Sequence, residues 1–151
     1  MIYFIMVLVS LLSSIESGFC GLGVSLVVIN GTNEEIFLQN TSMSCMSVAL
    51  PKNIKIPPKQ RSEIYLEGRN SLLCYKHWGK QQIVIGIGQK QEIGNFSLNV
   101  QSGYSGNGGY AYIDDIKNKR GYYLATYPAE KMIETWSTIS ATVIIAHEHV
   151  N

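Results

Sequence analysis

The chain has 151 residues, with 12 Lys and Arg against 11 Asp and Glu, a formal net charge of +1, and 46% hydrophobic residues. A balance this close to neutral argues against nucleic acid as a main partner, because neutralising phosphates needs a clear basic excess. The length fits one domain with a real core.

The first segment, "MIYFIMVLVSLLSSIESGFCG", is almost wholly apolar from Met1 to Leu12 and is then broken by Ser13, Ser14, Glu16 and Gly18. An apolar run of this length fits a signal-peptide core and falls short of the ~20 residues needed to span a bilayer. Residues 1–20 are therefore expected to be a signal peptide, cleaved somewhere within 17–21, and residues 21–151 the mature domain. Its basic leader is missing, since the first Lys or Arg is Lys52. Ile15 with Ser17, or Gly18 with Cys20, both suit the −3 and −1 positions. A secreted, extracellular protein is the expectation. The sequons at Asn30, Asn40 and Asn95 agree with it. So does the cysteine count: cleavage after Cys20 leaves Cys45 and Cys74 to form a bridge. Cleavage before Cys20 leaves a spare thiol.

Beyond Gly21 the pattern is that of strands. "VSLVVIN" is apolar on both faces, as a strand between two layers is. It meets Asn30-Gly31, a hairpin signal, and the chain returns through "EEIFLQN". "LPKNIKIPPKQR" is a turn-rich basic linker. "SEIYLEG" alternates, with Ile64 and Leu66 on one face and Glu63, Tyr65 and Glu67 on the other. "QQIVIGIG" reads as a central strand, and "GQKQEIG" as a second linker. In "NFSLNVQ" the apolar Phe96, Leu98 and Val100 point one way and Asn95, Ser97, Asn99 and Gln101 the other, so the Asn95 sequon is expected at solvent. "PAEKMIET" has a helical look, with Pro128 suited to a first turn. "STISATVIIAH" reads as another central strand. Together these predict an all-β fold: a single antiparallel β-sandwich or jelly-roll-like domain following the signal peptide.

The stretch "SGYSGNGGYAYIDD" concentrates glycines, tyrosines and adjacent aspartates. Gly106 to Ala111 satisfy a dinucleotide-type glycine spacing by letter, but a strand pattern follows where that motif needs a helix N-terminus. Asp114 and Asp115 are neighbours, so on a strand they face opposite ways and cannot chelate together; Ile116 and Lys117 stand where a calcium loop needs oxygens. His147 and His149 share a strand face with Ile139, Val143 and Ile145, which reads as a terminal strand. "GYSG" lacks the spacing of a nucleophile elbow. No catalytic residue, metal site or cofactor is assigned. Should a hydrolase cleft form, Glu63, Glu67, Asp114, Asp115 and His77 are the groups available, since a glycosidase pair can come from distant strands.

The tyrosines are the stronger signal. "YAYIDDI–KNKR–GYYLATY" reads as a hairpin with a basic tip. Its binding candidates are Tyr104, Tyr110, Tyr112, Lys117, Lys119, Arg120, Tyr122, Tyr123 and Tyr127. Cross-strand tyrosine packing explains some of them; the rigid amphipathic ring also suits partly exposed binding surfaces.

The succession of "VVINGTNEEIFLQN", "IPPKQRSEIYLEGR" and a later tyrosine-rich stretch resembles two families of small β-sandwich proteins, the aegerolysins and the actinoporin-like cytolysins. The resemblance covers about a third of the chain and lies in turn and strand rhythm. It implies a domain that recognises membrane lipids partly through aromatic residues. The leading expectation is a secreted, non-catalytic module that binds a glycan, a membrane lipid or an extracellular protein. A membrane-active cytolysin-like protein is the alternative, and a secreted hydrolase the second.

Overall fold

A computed structural model of the chain describes residues 21–52, 54–69, 74, 81–102, 109–127, 132–134 and 138–147. The expectations that fall on the signal segment 1–20, Tyr104, His77, Pro128 and His149 lie outside the described residues.

Eleven strands are described, β1 (Gly23–Asn30), β2 (Ile36–Ser44), β3 (Met46–Val48), β4 (Ile54–Ile56), β5 (Arg61–Gly68), β6 (Gln82–Gly88), β7 (Glu92–Ser102), β8 (Gly109–Asn118), β9 (Tyr122–Tyr127), β10 (Met132–Glu134) and β11 (Ile139–His147). They form two sheets. Sheet I has the order β3-β5-β1-β11-β9 and sheet II the order β10-β8-β7-β6-β2-β4. The all-β, sandwich-like expectation holds.

One core lies between the sheets. Sheet I contributes Val24, Leu26, Val28, Ile64, Leu66, Val143 and Ile145; sheet II contributes Ile36, Leu38, Ile83, Ile85, Ile87, Phe96 and Leu98, all 5% exposed or less. These positions alternate with outward ones, so a shift of one residue in any strand would exchange its core set for its surface set. Each fully buried aliphatic or aromatic side chain of this kind stabilises the fold by roughly 1.5–3 kcal/mol. The disulfide Cys45–Cys74 is formed, with Cα atoms 5.7 Å apart. Cys45 sits where the chain leaves sheet II for sheet I, between β2 and β3, with φ of 53°. The bridge therefore pins a crossover at a corner that ordinary backbone conformations do not make.

Four local expectations need correction. The sandwich is not wholly antiparallel: β1 and β11 run parallel, Val24 beside Ile139 through Asn30 beside Ile145. The last strand enters between β1 and β9, and a strand returning from far along the chain has no tight turn to force it antiparallel. The parallel pair also departs from a jelly roll. Asn30-Gly31 does not close a hairpin, because β1 lies in sheet I while β2 pairs with β4 and β6 in sheet II. "YAYIDDI–KNKR–GYYLATY" is not a paired hairpin either: β8 pairs with β7 and β10, and β9 with β11. Finally, Met132–Glu134 of the helical-looking stretch form an edge strand beside β8. There, the unpaired backbone groups of β8 outweigh a weak helical preference.

Candidate functional site

The crossovers decide where the sequence-predicted residues go. Residues 119–121 carry the chain from sheet II to sheet I. The turn is held by Lys119 N donating to Ile93 O (2.9 Å) and Tyr122 N donating to Lys119 O (3.1 Å), with Gly121 at φ +91°. Lys117, Lys119 and Arg120 are all exposed there. Tyr110 and Tyr112, before this turn, lie on the outer face of sheet II, and two of the tyrosines after it on the outer face of sheet I. The cluster in sequence is thus two separate surfaces.

On sheet I, Tyr123 and Tyr127 are 58% and 73% exposed, and Leu124 between them enters the core. Tyr123 stands beside Ala146, Ala125 beside Ile144 and Tyr127 beside Thr142. The next strand continues these rows, with Val27 beside Thr142 and Ile29 beside Ile144. Ile144 is 40% exposed. The two rings, four residues apart on one strand, project about 13 Å from each other. Beyond β1 the face turns polar: Arg61 pairs with Ile29, Glu63 with Val27 and Tyr65 with Ser25. There Ser25 hydrogen-bonds Glu63, and Tyr65 Oη donates to Glu67 Oε2 at 2.9 Å.

Tyr122 belongs to neither surface. Its ring is packed against the core and lies 5.0 Å from His147, and its hydroxyl donates to Gln89 Oε1 at 2.7 Å. It links β9 to the β6–β7 turn across the sandwich, a structural role.

On sheet II, Tyr110 and Tyr112 are half-buried neighbours with ring centroids 6.0 Å apart, and the Tyr110 hydroxyl bonds Gln101. Across the sheet Gln82, Asn99 and Tyr112 form one row, and Val84, Ser97 and Asp114 the next. Ser97 and Asn99 point away from the core as alternation requires, yet are only 3% and 4% exposed. Asn99 Nδ2 donates to Asp114 Oδ1 at 2.7 Å. Asn99 Oδ1 is, among the described residues, the one buried side-chain polar atom with no hydrogen-bond partner. Two bulges flank this area at one level. In β2 the register shifts between Asn40 and Ser42; in β8, Asp115 and Ile116 stand opposite the single residue Phe96, with Asp115 at φ 48°. Bulges bend a strand and re-aim side chains; Asp114, just before the second one, shares the outward face of β8 with Tyr110 and Tyr112.

The three sequons separate. Asn40 is exposed and Asn95 half-exposed. Asn30 is 0% exposed. Its Nδ2 lies 2.7, 3.0 and 3.0 Å from the carbonyls of Glu34, Ile56 and Pro57. Its Oδ1 accepts from Thr32 N at 3.0 Å and Thr32 Oγ1 at 2.7 Å. In the folded chain the Asn30 amide is enclosed and its contacts are structural, which leaves no room for a glycan on it. Of the hydrolase groups, Glu63 and Glu67 lie on the outer face of sheet I and Asp114 on that of sheet II, so these carboxylates do not converge.

Sequence reasoning missed Asn99, Gln82 and Ile144. A signal for Asn99 was present: "NFSLNVQ" puts short amides and a serine, with no long charged chain, on the outward face of a central strand.

No protein-family model matches the sequence, and no curated protein matches it. Among solved structures, the chain is similar to the crystal structure of IP-1A from Alcaligenes faecalis, with a TM-score of 0.56 at 8% identity, over 87% of this chain and 94% of that one. The likeness is one of fold.

Proposed function

We propose that the chain is a secreted, non-catalytic binding module for a glycan, a lipid headgroup or a protein surface, and that a lipid surface fits sheet I best. The observation that carries this reading is the exposure of Tyr123 and Tyr127 on one edge strand, with Ile144 beside them. Val27, Ile29, Ala125 and Ala146 continue the same face. Tyrosine rings suit the headgroup level, where one end is apolar and the other wet. The exposed Lys119 and Arg120 lie one turn away and favour an anionic surface, by about 1 kcal/mol each near the membrane. Secretion is supported by the apolar Met1–Leu12 run and by the formed disulfide, since such bridges persist in oxidising compartments.

The test is co-sedimentation of the secreted protein with vesicles of neutral and of anionic lipid. Tyr123→Ala with Tyr127→Ala should abolish binding without lowering thermal stability, and Lys119→Ser with Arg120→Ser should remove the preference for anionic vesicles. Undiminished binding by the double tyrosine variant, or no binding to either vesicle, would refute this assignment of the face.

A further inference from the structure

The outer face of sheet II carries an unusual polar group. Asn99 sits in the middle of a central strand, 4% exposed, with its amide nitrogen committed to Asp114 and its amide oxygen committed to nothing. A buried acceptor without a donor costs about 1–3 kcal/mol. The bond to Asp114 offsets this for the side chain as a whole, but the oxygen itself gains nothing from folding, and a leucine in this row would carry no such penalty. Such groups are few in native proteins, and each calls for a specific explanation, of which a bound partner that completes it is one.

The chemistry around the atom says what is missing. An amide oxygen needs a donor. The carboxylate of Asp114, bonded through Oδ1 to Asn99, is a second acceptor beside it. Ser97 pairs with Asp114 in the adjacent row, and Gln82 flanks Asn99 on the other side. The ring of Tyr112 stands directly beside Asn99, with Tyr110 6.0 Å beyond. Adjacent acceptors matched to a flat aromatic surface call for a ligand with neighbouring hydroxyl donors and an apolar face. That description is met by a sugar ring: its hydroxyls donate to amide and carboxylate oxygens while its C–H face stacks on an aromatic ring. An ammonium ion would also satisfy the acceptors and meet a ring face by cation–π attraction; the sugar is favoured because its hydroxyls reach both rows while its C–H face covers the half-buried Tyr112, and a purely apolar ligand would leave the oxygen as it is.

We infer that the Asn99–Asp114 pair, with Tyr112 and Gln82 on the Asn99 row, is a saccharide-binding subsite on the face of the sandwich opposite the exposed tyrosines. It deepens the binding-module reading and rests on it, but not on the assignment of sheet I to lipid. Asn99 Oδ1 has no exposed surface, so a sugar reaches it by rotation of the half-buried side chains that flank it, Gln82 or Tyr112. Asp114 shares the outward face of β8 with Tyr110 and Tyr112 by ordinary alternation, one row from Asn99, which places its carboxylate within reach of the Asn99 amide.

The experiment is binding of the disulfide-bonded protein to an immobilised panel of neutral hexose, N-acetylhexosamine and uronate oligosaccharides, followed by calorimetry with any hit. Asn99→Leu should weaken a hit roughly tenfold or more, the loss of one or two net hydrogen bonds, while leaving the melting temperature unchanged or higher. Asp114→Asn and Tyr112→Ala should weaken it as well, and Tyr112→Phe should retain it. A merely structural Asn99 gives the opposite result, a lower melting temperature with sugar binding intact, and would overturn the inference. So would an absence of binding across the panel, or a crystal structure with one fixed water on Asn99 Oδ1 and no sugar bound after soaking. The two faces are told apart by Tyr123→Ala with Tyr127→Ala: sugar binding that survives in this variant while vesicle binding is lost places the ligands on separate sheets. Loss of vesicle binding alone touches only the sheet I reading.

Discussion

Replacing Asn30 by alanine removes five polar contacts made by one side chain, three of them shared between the two N–H groups of its amide, and the cost can be worked from where the abandoned partners lie. The carbonyls of Glu34 and Pro57 sit in part-buried surroundings, where water can replace the amide. Thr32 Oγ1 can fall back on Glu34 O, which it already reaches at 3.0 Å. The Ile56 carbonyl and the Thr32 N–H are in buried surroundings and have no such recourse. Taking roughly 1.5–2 kcal/mol for each buried orphan gives a loss of about 3–4 kcal/mol. That is a large part of the ~5–15 kcal/mol typical of a domain. Urea unfolding under non-reducing conditions is the assay; with a slope typical of small domains the midpoint should fall by about 2 M. Asn40→Ala, at an exposed position, should stay within about 0.5 kcal/mol of the parent. Asn30→Asp sharpens the test, because it keeps the shape but turns a donor into an acceptor facing three carbonyls. Burial among carbonyls raises a carboxyl above its unfolded value of about 3.9. A raised folded pKa means stability present below that value and lost as pH rises through the folded pKa. The aspartate variant should therefore approach the parent near pH 3–4 and be much weaker at pH 7. A cost under about 1 kcal/mol for Asn30→Ala, or no pH dependence for Asn30→Asp, would show that these contacts do not hold the crossover as argued.

Glycopeptide mapping of the secreted, folded protein should find sugar only at Asn40 and Asn95, and an occupied Asn30 would contradict the burial described. Removing the bridge by Cys45→Ser with Cys74→Ser should lower stability by about 3.5 kcal/mol, the chain-entropy value for a loop of this length, measured by urea unfolding. Tyr122→Ala should cost about 3 kcal/mol, because it opens the core edge and unpairs Gln89, whereas Tyr123→Ala and Tyr127→Ala should each cost under about 0.5 kcal/mol by thermal melting. Gly94→Ala should be destabilising, since the added Cβ would lie 2.6 Å from the Lys117 carbonyl oxygen, a backbone atom that cannot swing aside.

Strand existence and inward faces were legible in the sequence, because alternation is a local property set by a period of two. "SEIYLEG" and "NFSLNVQ" bury the residues their pattern names, Ile64 and Leu66 in the one and Phe96, Leu98 and Val100 in the other. The disulfide partners were legible on the reading that cleavage removes Cys20 and leaves Cys45 with Cys74, the pair that is bridged. Partnership between strands was not. Asn30-Gly31 carries a strong hairpin signal, but that signal rests on backbone freedom at two residues and is silent about the side chain. Here the Asn30 amide is drawn inward by the Ile56 and Pro57 carbonyls at the end of β4, 26 and 27 residues away. The same limit applies at Lys119-Arg120-Gly121, where the turn residues fit a hairpin and a crossover equally well.

That single ambiguity is what scattered the predicted site. In a hairpin, tyrosines on successive strands share a sheet and can share a face. In a crossover, they are carried to opposite sides of the molecule. Tyr110 and Tyr112 consequently keep company with the amides and the serine of β7, with Gln82 of β6 beyond them, and Tyr123 and Tyr127 with the aliphatic residues of β11 and β1. The chemistry of each surface is set by the neighbouring strands rather than by the tyrosines, which are the same residue on both. An apolar lattice around an exposed ring favours a surface contact, and a lattice of amides and a carboxylate around a half-buried ring favours hydroxyl recognition. A single tyrosine-rich run is therefore consistent with two binding chemistries, and only the crossover at residues 119–121 separates them.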